Sequence, residues 1–74
     1  MIFDQIREIV SNQFDIEESM ITQETMFDEL GADSADVEEL ATAIEERFGV
    51  SVEEESFEGI GTVGELADFI EARL

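Results

Sequence analysis

The apolar positions of this chain fall into four groups with helical spacing. Ile2, Phe3, Ile6, Ile9, Val10 and Phe14 recur at intervals that line one side of a helix, and Asp4 suits its first turn. The cleanest stripe is Val37, Leu40, Ala41, Ile44 and Phe48, at spacings of 3, 1, 3 and 4. Asp33 or Ser34 caps its start, and Gly49 sits just past its end. Ser51-Val52-Glu53-Glu54 has capping-box spacing and predicts a short helix through Phe57, after which Gly59 and Gly61 break the chain. Thr62-Val63-Gly64-Glu65 repeats that spacing and opens a last helix with Val63, Leu66, Ala67 and Ile70 facing inward.

Asp15 to Asp33 is a long connection, in which Ile16, Met20, Ile21, Met26, Phe27 and Leu30 are expected to pin the loop to the core. Thr25 with Asp28, followed by Gly31, predicts one helical turn inside it. No segment alternates convincingly enough for a strand. With no proline, repeat or low-complexity linker, residues 1–74 read as one domain. The expected fold is all-α, a small bundle of three main helices plus one short helix.

Charge changes the picture of what this bundle can meet. Twenty-one acidic residues stand against 3 basic ones, a formal charge of −18. A field of that sign repels phosphate backbones and anionic headgroups, so nucleic-acid binding and stable membrane association are not expected. Cationic protein surfaces are the natural partners, and self-repulsion favours a monomer. Disorder is excluded by the core-forming residues: Ile, Leu, Val and Phe number 23 of 74, above the roughly 20% below which highly charged chains stay unfolded. No apolar run is long enough to span a membrane, and Met1-Ile2-Phe3-Asp4 lacks a basic signal-peptide start. A cytoplasmic protein is the expectation.

The chemistry available to the chain is sparse. It has no cysteine and no histidine, which removes thiolate chemistry, the commonest general base and the commonest transition-metal ligand. There is also no lysine, no glycine-rich phosphate loop and no nucleophile elbow. The Asp33–Asp36 region does not supply the spacing of a calcium-binding EF-hand loop. An autonomous enzyme is not expected. What remains is Ser34, a hydroxyl at the start of the most regular predicted helix, where peptide dipoles and unpaired N–H groups favour a phosphate. Taken alone, an Asp-Ser pair at that place is a helix cap.

Its surroundings say more. Leu30-Gly31-Ala32-Asp33-Ser34-x-Asp36-x-x-Glu39-Leu40 resembles the attachment motif of acyl carrier proteins, in particular the stand-alone type of fatty-acid synthesis. Carriers of peptide synthesis more often read Gly-Gly ahead of the serine-bearing pair. The likeness extends over the whole chain, including Glu45-Glu46-Arg47-Phe48 and Ile60-Gly61-Thr62-Val63. It implies that a separate phosphopantetheinyl transferase moves 4′-phosphopantetheine from coenzyme A to Ser34, with Asp33 beside it. The arm's thiol would then carry acyl groups as thioesters to the enzymes of fatty acid biosynthesis.

The resemblance also implies an acyl pocket lined by Phe27, Leu40, Ile44, Ile60 and Leu66, each of which reads equally well as plain core. Asp36, Glu39, Glu45 and Glu46 match acids that face basic docking patches on acyl-processing enzymes in the family. Two positions depart from the pattern. Ala35 follows the serine where the family typically has leucine, and Thr42 replaces a larger apolar residue. They thin the apolar centre of the docking face and keep open a dedicated polyketide, aminoacyl or other specialised carrier. An acidic binding protein that mimics nucleic acid for a basic partner uses the charge but leaves the Gly-Ala-Asp-Ser context unexplained. A calcium sensor is weaker still, although crowding at Glu53–Glu55 suggests stabilisation by Mg²⁺ or Ca²⁺.

Overall fold

Helix α1 (Ile2–Phe14) turns Ile6, Ile9 and Val10 inward, the positions its stripe selects. In the computed structural model, which describes residues 1–74, three further helices complete the core: α2 (Ser34–Phe48), α3 (Glu54–Phe57) and α4 (Val63–Glu71). Helix α1 packs against both α2 and α4, and α3 packs on α2. Ile6, Val10, Leu40, Ile44, Val63, Leu66 and Ile70 meet at the centre and are almost wholly withdrawn from solvent. Each contributes on the order of 1.5–3 kcal/mol of burial, before the entropy of ordering is subtracted. The architecture is all-α, three main helices and one short one.

The loop between α1 and α2 differs in detail from expectation. The chain leaves α1 through Asp15 in the left-handed conformation, φ 57° and ψ 47°. A 3-10 turn at Glu18–Met20, which the sequence did not announce, follows. A second turn, Phe27–Leu30, closes on Gly31 as predicted. Its start is one residue later than Thr25 and Asp28 suggested: Glu29 accepts from the Met26 N–H at 3.1 Å, while Thr25 Oγ1 accepts from the Thr22 N–H at 2.8 Å. Only Ile21 and Phe27 are fully buried anchors, with Ile16 and Leu30 half-buried. Met20 and Met26 are 69% and 43% exposed, so these two do not pin the loop.

Backbone hydrogen bonds to the start of α4 take over that task. Val63 N–H donates to the Thr25 carbonyl at 2.9 Å, and Gly64 N–H to that of Gln23 at 3.0 Å. In return Phe27 N–H donates to the Gly61 carbonyl at 3.0 Å, beside an isolated antiparallel bridge between Met26 and Thr62. Glu65 N–H finds Thr62 Oγ1 at 3.1 Å, and Leu66 N–H finds the Thr62 carbonyl at 3.1 Å. Three of the four donors that a helix start leaves open, on Val63, Gly64 and Glu65, are therefore paired. The predicted capping box is only half formed here, because the Glu65 carboxylate takes the Thr62 hydroxyl at 3.2 Å.

The expected caps hold at α2 but not at α3. At α2 the cap is Asp33 and not Ser34: Asp36 N–H donates to Asp33 Oδ1 at 3.0 Å, and Asp33 N–H to Asp36 Oδ2 at 3.1 Å. The helix ends at Gly49, whose φ of 70° is costly for residues with a Cβ. Ser51 does not cap α3. That helix starts from Glu53 without a side-chain cap.

Two stability predictions come from these contacts. A Cβ at Gly64 would stand 2.8 Å from the Gln23 carbonyl oxygen and 2.9 Å from Gln23 Cβ. Gly64→Ala is therefore expected to lose about 1–3 kcal/mol, although glycine-to-alanine changes inside helices usually stabilise. Urea melts read this as a lower midpoint at unchanged slope; a higher midpoint contradicts the close approach. In high salt, where charge repulsion is screened, Asp33→Ala should cost about 0.5–2 kcal/mol. Ser34→Ala should stay within about 0.5 kcal/mol. Equal losses would mean that the serine shares the capping.

Candidate functional site

Ser34 is the first residue of α2 and is exposed. Its hydroxyl makes no hydrogen bond, since the capping work falls to Asp33 and Asp36. The first two N–H groups of the helix, on Ser34 and Ala35, also lack a protein acceptor, whereas those of Asp36 and Val37 both go to Asp33. A free hydroxyl thus stands beside two free amide donors at the positive end of a 15-residue helix. That geometry suits a phosphodiester on the serine oxygen. The usual activating bases, histidine and lysine, are absent from the chain, and the neighbouring Asp36 carboxylate is held by the Asp33 N–H.

A cavity of about 280 Å³ opens below this serine, between α2, α3 and the loop. Phe27 and Phe57 meet in it edge to face, with ring centroids 6.4 Å apart. Leu40 and Ile60 also line it, so three of the five expected lining residues come together there: Phe27, Leu40 and Ile60. Ile44 and Leu66 are not among the lining residues; both are completely buried in the central core. Their stripes pointed inward correctly, but periodicity does not separate a residue facing the core from one facing a void. Phe14, Ala32, Val37 and Phe57 complete the apolar wall. Three of these already stood in the apolar pattern, yet only the fold shows that their elements converge.

A shallower depression beside Ser34 shares Ala32, Val37, Phe57 and Glu58 with the cavity, so the two are neighbours across these side chains. A flexible chain on the serine oxygen has an apolar floor to follow inward. Each methylene it buries is worth about 0.8 kcal/mol.

On α2, Ala35, Glu39, Thr42 and Glu46 lie on the side away from Leu40 and Ile44. Glu38 and Glu45 flank that stripe, and all six are exposed. Asp36 belongs elsewhere: it is half-buried, caps the helix and borders the cavity. Thr42 fits mid-helix by donating its hydroxyl to the Glu38 carbonyl at 3.0 Å. Arg47, the only cation on this helix, turns to α1 and pairs with Glu8 at 3.6 Å. The outer face of α2 therefore presents acids around two small residues. No group of three or more carboxylates converges in a way that could hold a metal ion.

A family model described as "Phosphopantetheine attachment site" matches residues 4–70. The chain is 39% identical over 74 residues to an acyl carrier protein of Thermotoga maritima, covering 99% of this chain and 91% of that one. Its backbone is similar, with a TM-score of 0.85 at 20% identity, to a free-standing peptidyl carrier protein from an uncharacterized Acinetobacter baumannii secondary metabolic pathway. That likeness covers 96% of this chain and 89% of the other, and shows the shared fold. An exposed serine at an open helix start, above an apolar cavity, is the arrangement such a family needs. The chain belongs to the acyl carrier proteins, phosphopantetheine-bearing carriers and not catalysts.

Proposed function

We propose that Ser34 Oγ is the attachment point of 4′-phosphopantetheine, and that the protein delivers acyl intermediates to the enzymes of cytoplasmic fatty acid biosynthesis. The observation that carries this reading is the free Ser34 hydroxyl with the unpaired Ser34 and Ala35 N–H groups. When attached, the arm supplies the thiol on which acyl groups travel as thioesters. This chain's residues hold and shelter. The two amides and the helix dipole stabilise the phosphodiester charge. Phe27, Leu40, Val37, Phe57 and Ile60 take up the acyl chain. With neither histidine nor lysine to activate Ser34 and no cysteine in the chain, both attachment and acyl transfer rest with partner enzymes, and no second thiol competes for the cargo.

Glu39, Glu45 and Glu46 form the docking face for basic patches on the transferase and the acyl-processing enzymes. Asp36 acts mainly through the helix cap. Exposed charge steers encounter and permits quick release, which suits a shuttle that visits several partners. All 74 residues act as one carrier domain, a monomer kept apart from its copies by a charge of −18. The motif Leu30-Gly31-Ala32-Asp33-Ser34 and the full-length similarity to an acyl carrier protein support the fatty-acid pathway. Ala35 and Thr42 favour a second reading, a carrier dedicated to a specialised pathway, because they leave no large apolar side chain at the centre of the face.

Incubation with coenzyme A and a broad-specificity phosphopantetheinyl transferase should add the mass of one phosphopantetheine to wild type and nothing to Ser34→Ala. Addition to the folded variant, or none to wild type, contradicts the assignment. Glu39→Gln with Glu46→Gln should lower the transferase kcat/KM roughly tenfold at low salt, since two exposed pairs are each worth up to about 1 kcal/mol. The loss should shrink as salt rises. A salt-independent loss would point to a different docking surface.

A further inference from the structure

The surface between Ser34 and the cavity carries charge of one sign only. The depression beside Ser34 has Ala32, Val37 and Phe57 as its floor and Asp33, Glu54, Glu55 and Glu58 around it. The neighbouring cavity adds Asp28 and Asp36 to Glu58, with apolar groups and Gly61 making up the rest. No cation borders either space. The chain has three arginines, all engaged elsewhere: Arg7 with Asp4 at 3.2 Å, Arg47 with Glu8 at 3.6 Å, and Arg73 over the Phe69 ring at 3.5 Å. Asp36 is committed to the Asp33 N–H. Asp28 and Glu58 are exposed, and their carboxylates make no hydrogen bond or ion pair with the protein.

We infer that Asp28 and Glu58 act as a charge filter on the cargo. The inference rests on the reading of Ser34 and names the acyl class that the cavity takes: groups with an uncharged end enter, and groups ending in a carboxylate are turned away. Two effects act on a carboxylate that approaches. It loses hydration among Phe27, Phe57 and Leu40, and it meets Asp28 and Glu58 with no cation to offset them. An ammonium end loses hydration as well, but the same two carboxylates attract it. The sign of the end group, beyond its being charged, therefore decides the outcome. Carboxylated acyl units stay outside on the arm, within reach of a partner enzyme, while neutral chains are withdrawn.

The filter can be tested with three loads of equal chain length: hexanoyl, adipoyl and 6-aminohexanoyl. Each is placed on the protein by the transferase from the corresponding acyl-coenzyme A, and intact mass confirms loading. A protein that cannot be loaded overturns the Ser34 reading along with the filter; a loaded one tests the filter alone. Methyl NMR signals of Val37, Leu40 and Ile60 are then compared with those of the unacylated form. Hexanoyl is expected to shift them clearly, adipoyl to leave them within their linewidths, and 6-aminohexanoyl to fall between. In the Asp28→Asn, Glu58→Gln variant, adipoyl should shift the same signals. Equal shifts from adipoyl and 6-aminohexanoyl in wild type, or continued exclusion of adipoyl in the variant, would overturn the inference.

Discussion

The hydrogen bonds between the Gln23–Phe27 loop and the start of α4 are the constraint on which the rest of this bundle depends. Nineteen residues, from Asp15 to Asp33, join α1 to α2 with only two short 3-10 turns among them. Ordering each of those residues costs about 1–2 kcal/mol of backbone entropy, and few large side chains are available to offset it. The donors that α4 must satisfy in any case do so on the carbonyls of Gln23 and Thr25. Gly64 allows the approach because it has no Cβ. Once the loop is fixed there, Ile21 and Phe27 reach the core. The Phe27 ring then meets Phe57, and a cavity wall exists.

The two long-helix starts that bound this region use the same physics for opposite ends. At α4 the Val63, Gly64 and Glu65 donors are all consumed internally, which makes the start structural. At α2 the reciprocal Asp33–Asp36 cap holds the helix while Ser34 and Ala35 keep their N–H groups free. That asymmetry is what would let Ser34, one serine among five, take the proposed modification. It would also reconcile a strongly acidic chain with a phosphodiester attached at Ser34, because the negative group would sit where peptide dipoles converge. The absence of cysteine and histidine fits the same division of labour. Reactive chemistry arrives with the arm and with the partner enzymes.

The sequence made the helices legible because their apolar stripes repeat at the helical period. Gly31 and Gly49 marked helix ends because their positive φ suits glycine. It did not show the Glu18–Met20 turn, which rests on a few local backbone bonds and leaves no apolar signature. Met20 and Met26 read as anchors on hydropathy alone, but backbone pairing holds the loop and leaves them outside. Ser51 had the right spacing for a cap, yet α3 begins on the extended residue Glu53. At the site, Ser34 was legible through its motif, and the acids of α2 through their run. The cavity was only partly so: Leu40 and Ile44 have the same chemistry and neighbouring positions, and only the packing of α3 and the loop decides which one faces the void. The carboxylates around that void come from three separate elements and cannot be grouped before the fold is known.

The contrast between the two helix starts is open to a single measurement. Amide ¹H–¹⁵N spectra of the protein before and after reaction with coenzyme A and transferase report every donor at once. The Ser34 and Ala35 amides should move strongly downfield as they gain the phosphodiester, while Val63 and Gly64 keep their positions. Unmoved Ser34 and Ala35 signals on a modified protein, or a change centred on Ser11, Ser19, Ser51 or Ser56, would contradict it.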